Sequence, residues 1–211
     1  MQRCARALLV FLVAIGVAGT ARAADPPYIL VNMTSGEVLA ERQSGEYWYP
    51  ASLAKLMTVY LVLEALSQDR IQLDSPIVIS AHSLDVQPSR MGFPVGTVIT
   101  VDNALKMLVV KSANDIAVAV AEMMSVSDTA FVAEMNATAA RLGMTGTHFI
   151  NPNGLPGSGQ HTTARDMALL ARTIWLNFPA YHSLFGIAEI RYSSTIMPTG
   201  NSLLEFYPGA T

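Results

Sequence analysis

The chain has 211 residues, 51% of them hydrophobic and only 14% charged, with a net charge of −3 and an isoelectric point near 5.8. A charged share well below the roughly 25% of an average globular chain, joined to this apolar content, excludes a disordered tail and a basic nucleic-acid binder. The length suffices for one domain with a full core. The first stretch reads as an address. Arg3 and Arg6 precede an uncharged apolar run from Ala7 to Ala18, and Ala21-Arg22-Ala23 sets small residues before a cleavage point at Ala24. That run is short for a membrane span, so residues 1–23 are expected to be a secretory signal peptide and residues 24–211 the mature domain. Cleavage removes Arg3, Arg6 and Arg22 and takes the net charge from −3 to −6. Cys4, the only cysteine, leaves with it. The mature chain is then expected to lack disulfides, a thiol nucleophile and thiolate metal ligands.

Tyr28 to Asn32 and Glu37 to Ala40 flank Met33-Thr34-Ser35-Gly36 and predict an antiparallel hairpin. After Pro50, apolar residues at helical spacing (Leu53, Leu56, Met57, Tyr60, Leu61, Leu63) predict a helix from about Ser52 to Leu66. Ile77 to Ser80 reads as a short strand. Thr100 and Asp102 open a helix towards Val110, and Asp115 to Met124 predicts an Ala/Val-rich helix buried on most sides. Ser127 is the expected N-cap of a third helix that Gly143 closes. Thr163, with Asp166 three residues on, resembles a capping box for a helix through Leu176. Strands first and helices in the middle argue for an α+β fold rather than alternating βαβ units.

Two short patterns can carry chemistry. Ser52-Leu53-Ala54-Lys55 falls where a helix is expected to begin, and residues three apart on a helix share a face. A serine hydroxyl is a poor nucleophile until a neighbouring base takes its proton, and a lysine set among Leu53, Leu56 and Met57 is pushed towards its neutral, basic form. The plainer alternative is a serine cap and a solvated lysine. Ser112-Ala113-Asn114 lies about 60 residues further on, in the break between two predicted helices. There Ser112 can relay a proton and the Asn114 amide can both donate to and accept from a peptide; the alternative is again an N-cap.

Together the two patterns, in an exported chain, resemble the penicillin-binding proteins and serine β-lactamases, whose signatures are Ser-x-x-Lys, Ser-x-Asn and Lys-Thr-Gly. More narrowly the chain resembles the low-molecular-mass D-alanyl-D-alanine carboxypeptidases. The likeness runs through Pro50-Ala51-Ser52-Leu53-Ala54-Lys55-Leu56-Met57-Thr58, Lys111-Ser112-Ala113-Asn114-Asp115, Thr147-His148-Phe149, Asn153-Gly154-Leu155 and Thr163-Ala164-Arg165-Asp166-Met167-Ala168. The resemblance implies a transpeptidase-like fold, an antiparallel sheet flanked by helices with a helical subdomain. It implies Ser52 as the acylated nucleophile, Lys55 as its general base, Ser112 as a catalytic partner and Asn114 as a substrate-binding residue. It also implies peptidoglycan stem peptides as substrate, β-lactams as covalent inhibitors, no cofactor or metal, and a place outside the cytoplasmic membrane of a bacterial cell. Association with a membrane through a C-terminal segment beyond residue 211 is left open.

Other residues are given plainer readings. Lys111 is read as a surface charge, His148 and His161 as loop histidines rather than metal ligands, and Asp166 as a capping residue. Met91, Met107 and Met123 are read as core filling. One signature departs: Pro198-Thr199-Gly200 has no lysine, and Asn201-Ser202-Leu203-Leu204 and Tyr207-Pro208-Gly209 resemble the approach to the Lys-Thr-Gly strand. The expectation is therefore a chain incomplete before that strand, and inactive by itself. Two rivals stand beside the carboxypeptidase. A class A β-lactamase would need a deacylating glutamate, yet no Glu lies between Glu134 and Glu189. A non-catalytic cell-wall-binding relative is the other.

Overall fold

A computed structural model describes residues 25–192 and 195–207; the expected signal segment with Cys4, and Pro208-Gly209, lie outside the described residues. Two largely apolar helices, buried all round over much of their length, make the centre. In α1 (Lys55–Ser67) every residue from Met57 to Leu63 is buried, and in α3 (Asn114–Met124) every residue from Asn114 to Ala121 is buried. A helix with no polar face must be enclosed, and the alanines at 117, 119 and 121 let α3 lie close to its neighbours. Around this pair pack α2 (Val101–Lys111), α4 (Asp128–Leu142) and α5 (Ala164–Asn177), which supply Leu105, Leu108, Phe131, Met135, Leu170 and Ile174 to one core.

The helix boundaries follow local chemistry. Thr100 caps α2 by accepting from the Asn103 amide at 3.2 Å, and Ser127 caps α4 by accepting from Ala130 at 3.1 Å. Gly143, at φ +82°, closes α4 in the left-handed conformation while the Met144 amide donates back to the Ala139 carbonyl. Thr163 caps α5 by accepting from the Asp166 amide at 3.0 Å. The expected reciprocal half of that box is not formed. The Asp166 carboxylate instead accepts from the Gly146 amide at 2.9 Å and the Thr147 hydroxyl at 2.7 Å, so it ties α5 to the turn after α4.

The α+β class holds, but the strands form three separate antiparallel ribbons instead of one flanked sheet. The predicted hairpin pairs β1 (Tyr28–Val31) with β2 (Val38–Arg42). Its turn is built on the Asn32 side chain, which accepts from the Thr34 and Ser35 amides, and Arg172 of α5 donates to the Met33 and Thr34 carbonyls at 3.0 Å each. The second ribbon joins β3 (Pro76–Val78) to β4 (Val98–Thr100). The third joins β5 (Glu189–Tyr192) to β6 (Thr195–Pro198), preceded in sequence by the short α6 (His182–Phe185) and followed by α7 (Ser202–Phe206).

The long connection from β3 to β4 matters most, because it runs over the break between α2 and α3. Asp115, fully buried at the start of α3, holds it there by accepting from the Met91 amide at 3.0 Å, the Gly92 amide at 2.8 Å and its own neighbour Ile116 at 2.9 Å. Asp115→Ala strands these donors in the interior. It is expected to lower unfolding stability by about 3 kcal/mol, measured as a fall in the urea midpoint at unchanged slope.

Candidate active site

Pro50 and Ala51 turn the chain into a short 3-10 turn, Ala51–Ala54, and only at Lys55 does the α-helix begin. Ser52 is therefore in the tighter turn rather than in the predicted α-helix, and its side chain caps nothing. The effect on spacing is small, since residues three apart nearly eclipse in a 3-10 turn. Lys55 Nζ lies 3.2 Å from Ser52 Oγ. Ala51 sits at φ +46°, a left-handed conformation that L-residues adopt at a cost of about 1–2 kcal/mol.

Lys55 is the unusual group. Only 3% of it is exposed, and burial pulls its amine from the ordinary 10.5 down to about 8. Its other polar contact is donation to the Asn153 carbonyl at 2.7 Å. The alternative of a solvated lysine is thus excluded.

Ser112 follows α2 at φ +53° and Asn114 opens α3. Neither acts as a side-chain cap. The Ser112 hydroxyl is buried without a hydrogen-bond partner among the described residues. A strained residue with an unsatisfied buried hydroxyl points to function. The Asn114 amide nitrogen donates to the Gln87 carbonyl at 2.8 Å, its backbone N–H donates to Ser89 at 2.7 Å, and the Ser89 hydroxyl donates to the Lys111 carbonyl at 3.1 Å. The β3–β4 connection is thereby stitched to the Ser-x-Asn segment.

These pieces enclose one cleft of about 640 Å³. Ser52 and Tyr49 line one side, Ser112, Asn114, Pro88 and Ser89 another, and the loop from Asn153 to Gln160 closes the third. All four predicted site residues thus meet around a single space, except that Lys55 reaches it through Ser52 from behind. Tyr47, by contrast, rests on His161, and His148 and His161 pair with each other through their backbones at the base of the closing loop. Lys111 ends α2 and takes part only through its carbonyl.

The closing loop is the part that residue types alone did not reveal. Asn151 Oδ1 accepts from the Gly154 amide at 2.7 Å, and Asn153 Oδ1 accepts from Leu155 at 3.0 Å. Gln160, buried, accepts from Ile150 and donates to the Leu155 carbonyl. Gly154, at φ +82°, lies against the turn that carries Ser52: a Cβ there would fall 1.8 Å from the Ala51 carbonyl oxygen. The run of Asn and Gly around residue 153 signals a tight turn, though not which carbonyl it presents.

Comparison with known proteins agrees with this geometry. Residues 17–207 match the family model described as D-alanyl-D-alanine carboxypeptidase. The chain belongs to the D-alanyl-D-alanine carboxypeptidase family. It is 34% identical over 186 residues to D-alanyl-D-alanine carboxypeptidase DacF of Bacillus subtilis, covering 86% of this chain and 48% of that protein. It is 34% identical over 183 residues to DacC of Escherichia coli, covering 84% and 46%. Among solved structures, penicillin-binding protein 5 from Haemophilus influenzae superposes with a TM-score of 0.81 at 30% identity, over 85% of this chain and 53% of that one. Penicillin-binding protein 6B from Escherichia coli gives 0.80 at 30% identity, over 85% and 58%. The transpeptidase-like fold is thus established, and the chain spans about half the length of these curated relatives.

The contact at Gly154 has a direct test. Gly154→Ala meets both a left-handed φ and the Ala51 carbonyl, so it is expected to lower stability by more than about 2 kcal/mol, read from urea unfolding. Near-native stability would show that loop and turn are not in contact.

Proposed function

We propose that this chain carries the acylating site of an exported serine D-alanyl-D-alanine carboxypeptidase of peptidoglycan. The observation that supports it most is the buried Lys55 amine, lowered to about 8 and 3.2 Å from Ser52 Oγ in an open cleft. Such a lysine is neutral often enough near neutral pH to act as a general base. The names of the relatives supply the substrate class: a peptide ending in D-alanyl-D-alanine.

In this reading Lys55 takes the hydroxyl proton as Ser52 Oγ bonds to the carbonyl carbon of the terminal peptide bond. The C–N bond then breaks, and the proton passes to the departing D-alanine nitrogen. The Ser112 hydroxyl, in the same cleft and without a hydrogen-bond partner among the described residues, is suited to that relay. Water attacks the resulting Ser52 ester and releases the shortened peptide. Asn114 orients the peptide backbone, since its carboxamide oxygen takes no hydrogen bond from the described residues. A β-lactam presents a strained amide in the same place and acylates Ser52. Against the β-lactamase alternative, no carboxylate side chain lines the cleft among the described residues. Residues 1–23 act in this reading as the export signal, and the domain starts at Ala24.

Three experiments test this. In the full-length protein, Ser52→Ala is expected to abolish labelling by a fluorescent penicillin, and Lys55→Ala to slow acylation by at least about 100-fold. The wild-type rate should climb with pH through about 8, because the base is the neutral amine and burial has lowered its affinity for the proton to that value. Retained labelling of the Ser52→Ala protein would sink the assignment. Separately, N-terminal sequencing of the exported protein should begin at Ala24; an intact Met1 on cytosolic protein would contradict the export reading.

A further inference from the structure

A neutral lysine amine has two N–H bonds and one lone pair, and rotation about Cε–Nζ offers three staggered settings. Only one of them aims the lone pair at Ser52. A general base of this kind needs a third group to orient it. Here the nearest candidate is a backbone atom, the Asn153 carbonyl, which accepts from Lys55 Nζ at 2.7 Å. A carbonyl in a loop orients nothing unless the loop itself is held.

One side chain of α1 other than Lys55 holds it. Thr58, one helical turn beyond Lys55 and on the same face, is fully buried, and its hydroxyl donates to the Pro152 carbonyl at 2.7 Å. Two successive carbonyls, of Pro152 and Asn153, thus face the helix and are taken by donors three residues apart. The loop's own side chains, Asn151 and Gln160, fix its outer turn to itself. None of them ties it to α1.

We propose that Thr58 is a positioning residue for Lys55: by fixing the Pro152 carbonyl it sets the adjoining Asn153 carbonyl, which takes one N–H of the amine and leaves the lone pair facing Ser52. Ser52, Lys55 and Thr58 then form one functional ridge, with nucleophile, base and loop anchor at intervals of three residues. This inference rests on the acylation reading above.

The test is the pH–rate profile of penicillin acylation for wild type, Thr58→Val, Thr58→Ala and Thr58→Ser in the full-length protein, each with its melting temperature. Thr58→Val keeps the shape and removes the donor. It is expected to slow acylation about tenfold or more, the scale of a small misplacement of a reacting group. Its profile midpoint should move to lower pH, because a loosened carbonyl no longer stabilises the ammonium form while the burial persists. Thr58→Ala should behave likewise, and it serves if the valine variant does not fold. Thr58→Ser, which restores the hydroxyl, should return both rate and midpoint. Folded Val or Ala variants with wild-type rates, or a slowed rate with an unmoved or raised midpoint, would overturn the proposal, as would failure of Thr58→Ser to restore them. Absence of acylation in the wild type would instead refute the acylation reading itself.

Discussion

A lysine amine enclosed by the core is the constraint around which the rest of the site is arranged. Lys55 opens a helix whose next turns are buried from Met57 to Leu63, so its amine is held against the core at the edge of the cleft. A buried amine needs polar partners, and the structure provides two, Ser52 Oγ and the Asn153 carbonyl. The second requires a loop nearly a hundred positions away in sequence to close over the start of α1. That closure in turn requires the residue touching Ala51 to be a glycine, while Asn151, Thr58 and Gln160 satisfy carbonyls and amides that a tight buried turn leaves without partners.

The opposite wall obeys a similar logic. Between α2 and α3 the chain passes through a left-handed residue, Ser112, which leaves its hydroxyl buried and without a partner among the described residues. Asp115 follows at once and gathers the backbone of the β3–β4 connection above it. A strained turn and a multiply bonded carboxylate thus sit three residues apart. The carboxylate secures what the turn exposes. Both strained non-glycine positions at the cleft, Ala51 and Ser112, adjoin or supply a serine of the proposed site, the kind of place where backbone strain is stored.

Much of this was legible in the sequence, for identifiable reasons. Caps at Thr100, Ser127 and Thr163 and the closing Gly143 are local chemistry, readable within four residues. The pairing of Ser52 with Lys55 is local too, although Pro50 and Ala51 tighten the first turn into 3-10 geometry that periodicity does not register. What stayed hidden is non-local. Asp115 looks like an ordinary first-turn acid until Met91 and Gly92 are folded onto it, and Asp166 looks like a capping partner until Gly146 and Thr147 come within reach. The Asn153 carbonyl has no side-chain signature at all, because every residue has a carbonyl. The strand β4 is three residues long and leads directly into a helix, too short for alternation to show.

The closed loop over Lys55 has a consequence for how protons and motion are linked. An open loop would return the amine to water and to its ordinary affinity for a proton, while the closed one holds it near 8. Below that value the lysine is charged in both states, and the closed state bears the full difference, about 3 kcal/mol at 1.36 kcal/mol per unit. As pH rises from about 8 to 10.5 the difference fades, because the closed state has already shed its proton and the open state holds its own less and less tightly. Between those two values an opening would capture a proton, and a closure would expel one. Below about 8 the closed loop bears the cost of a buried charge, and the lowered proton affinity of Lys55 depends on the loop being shut.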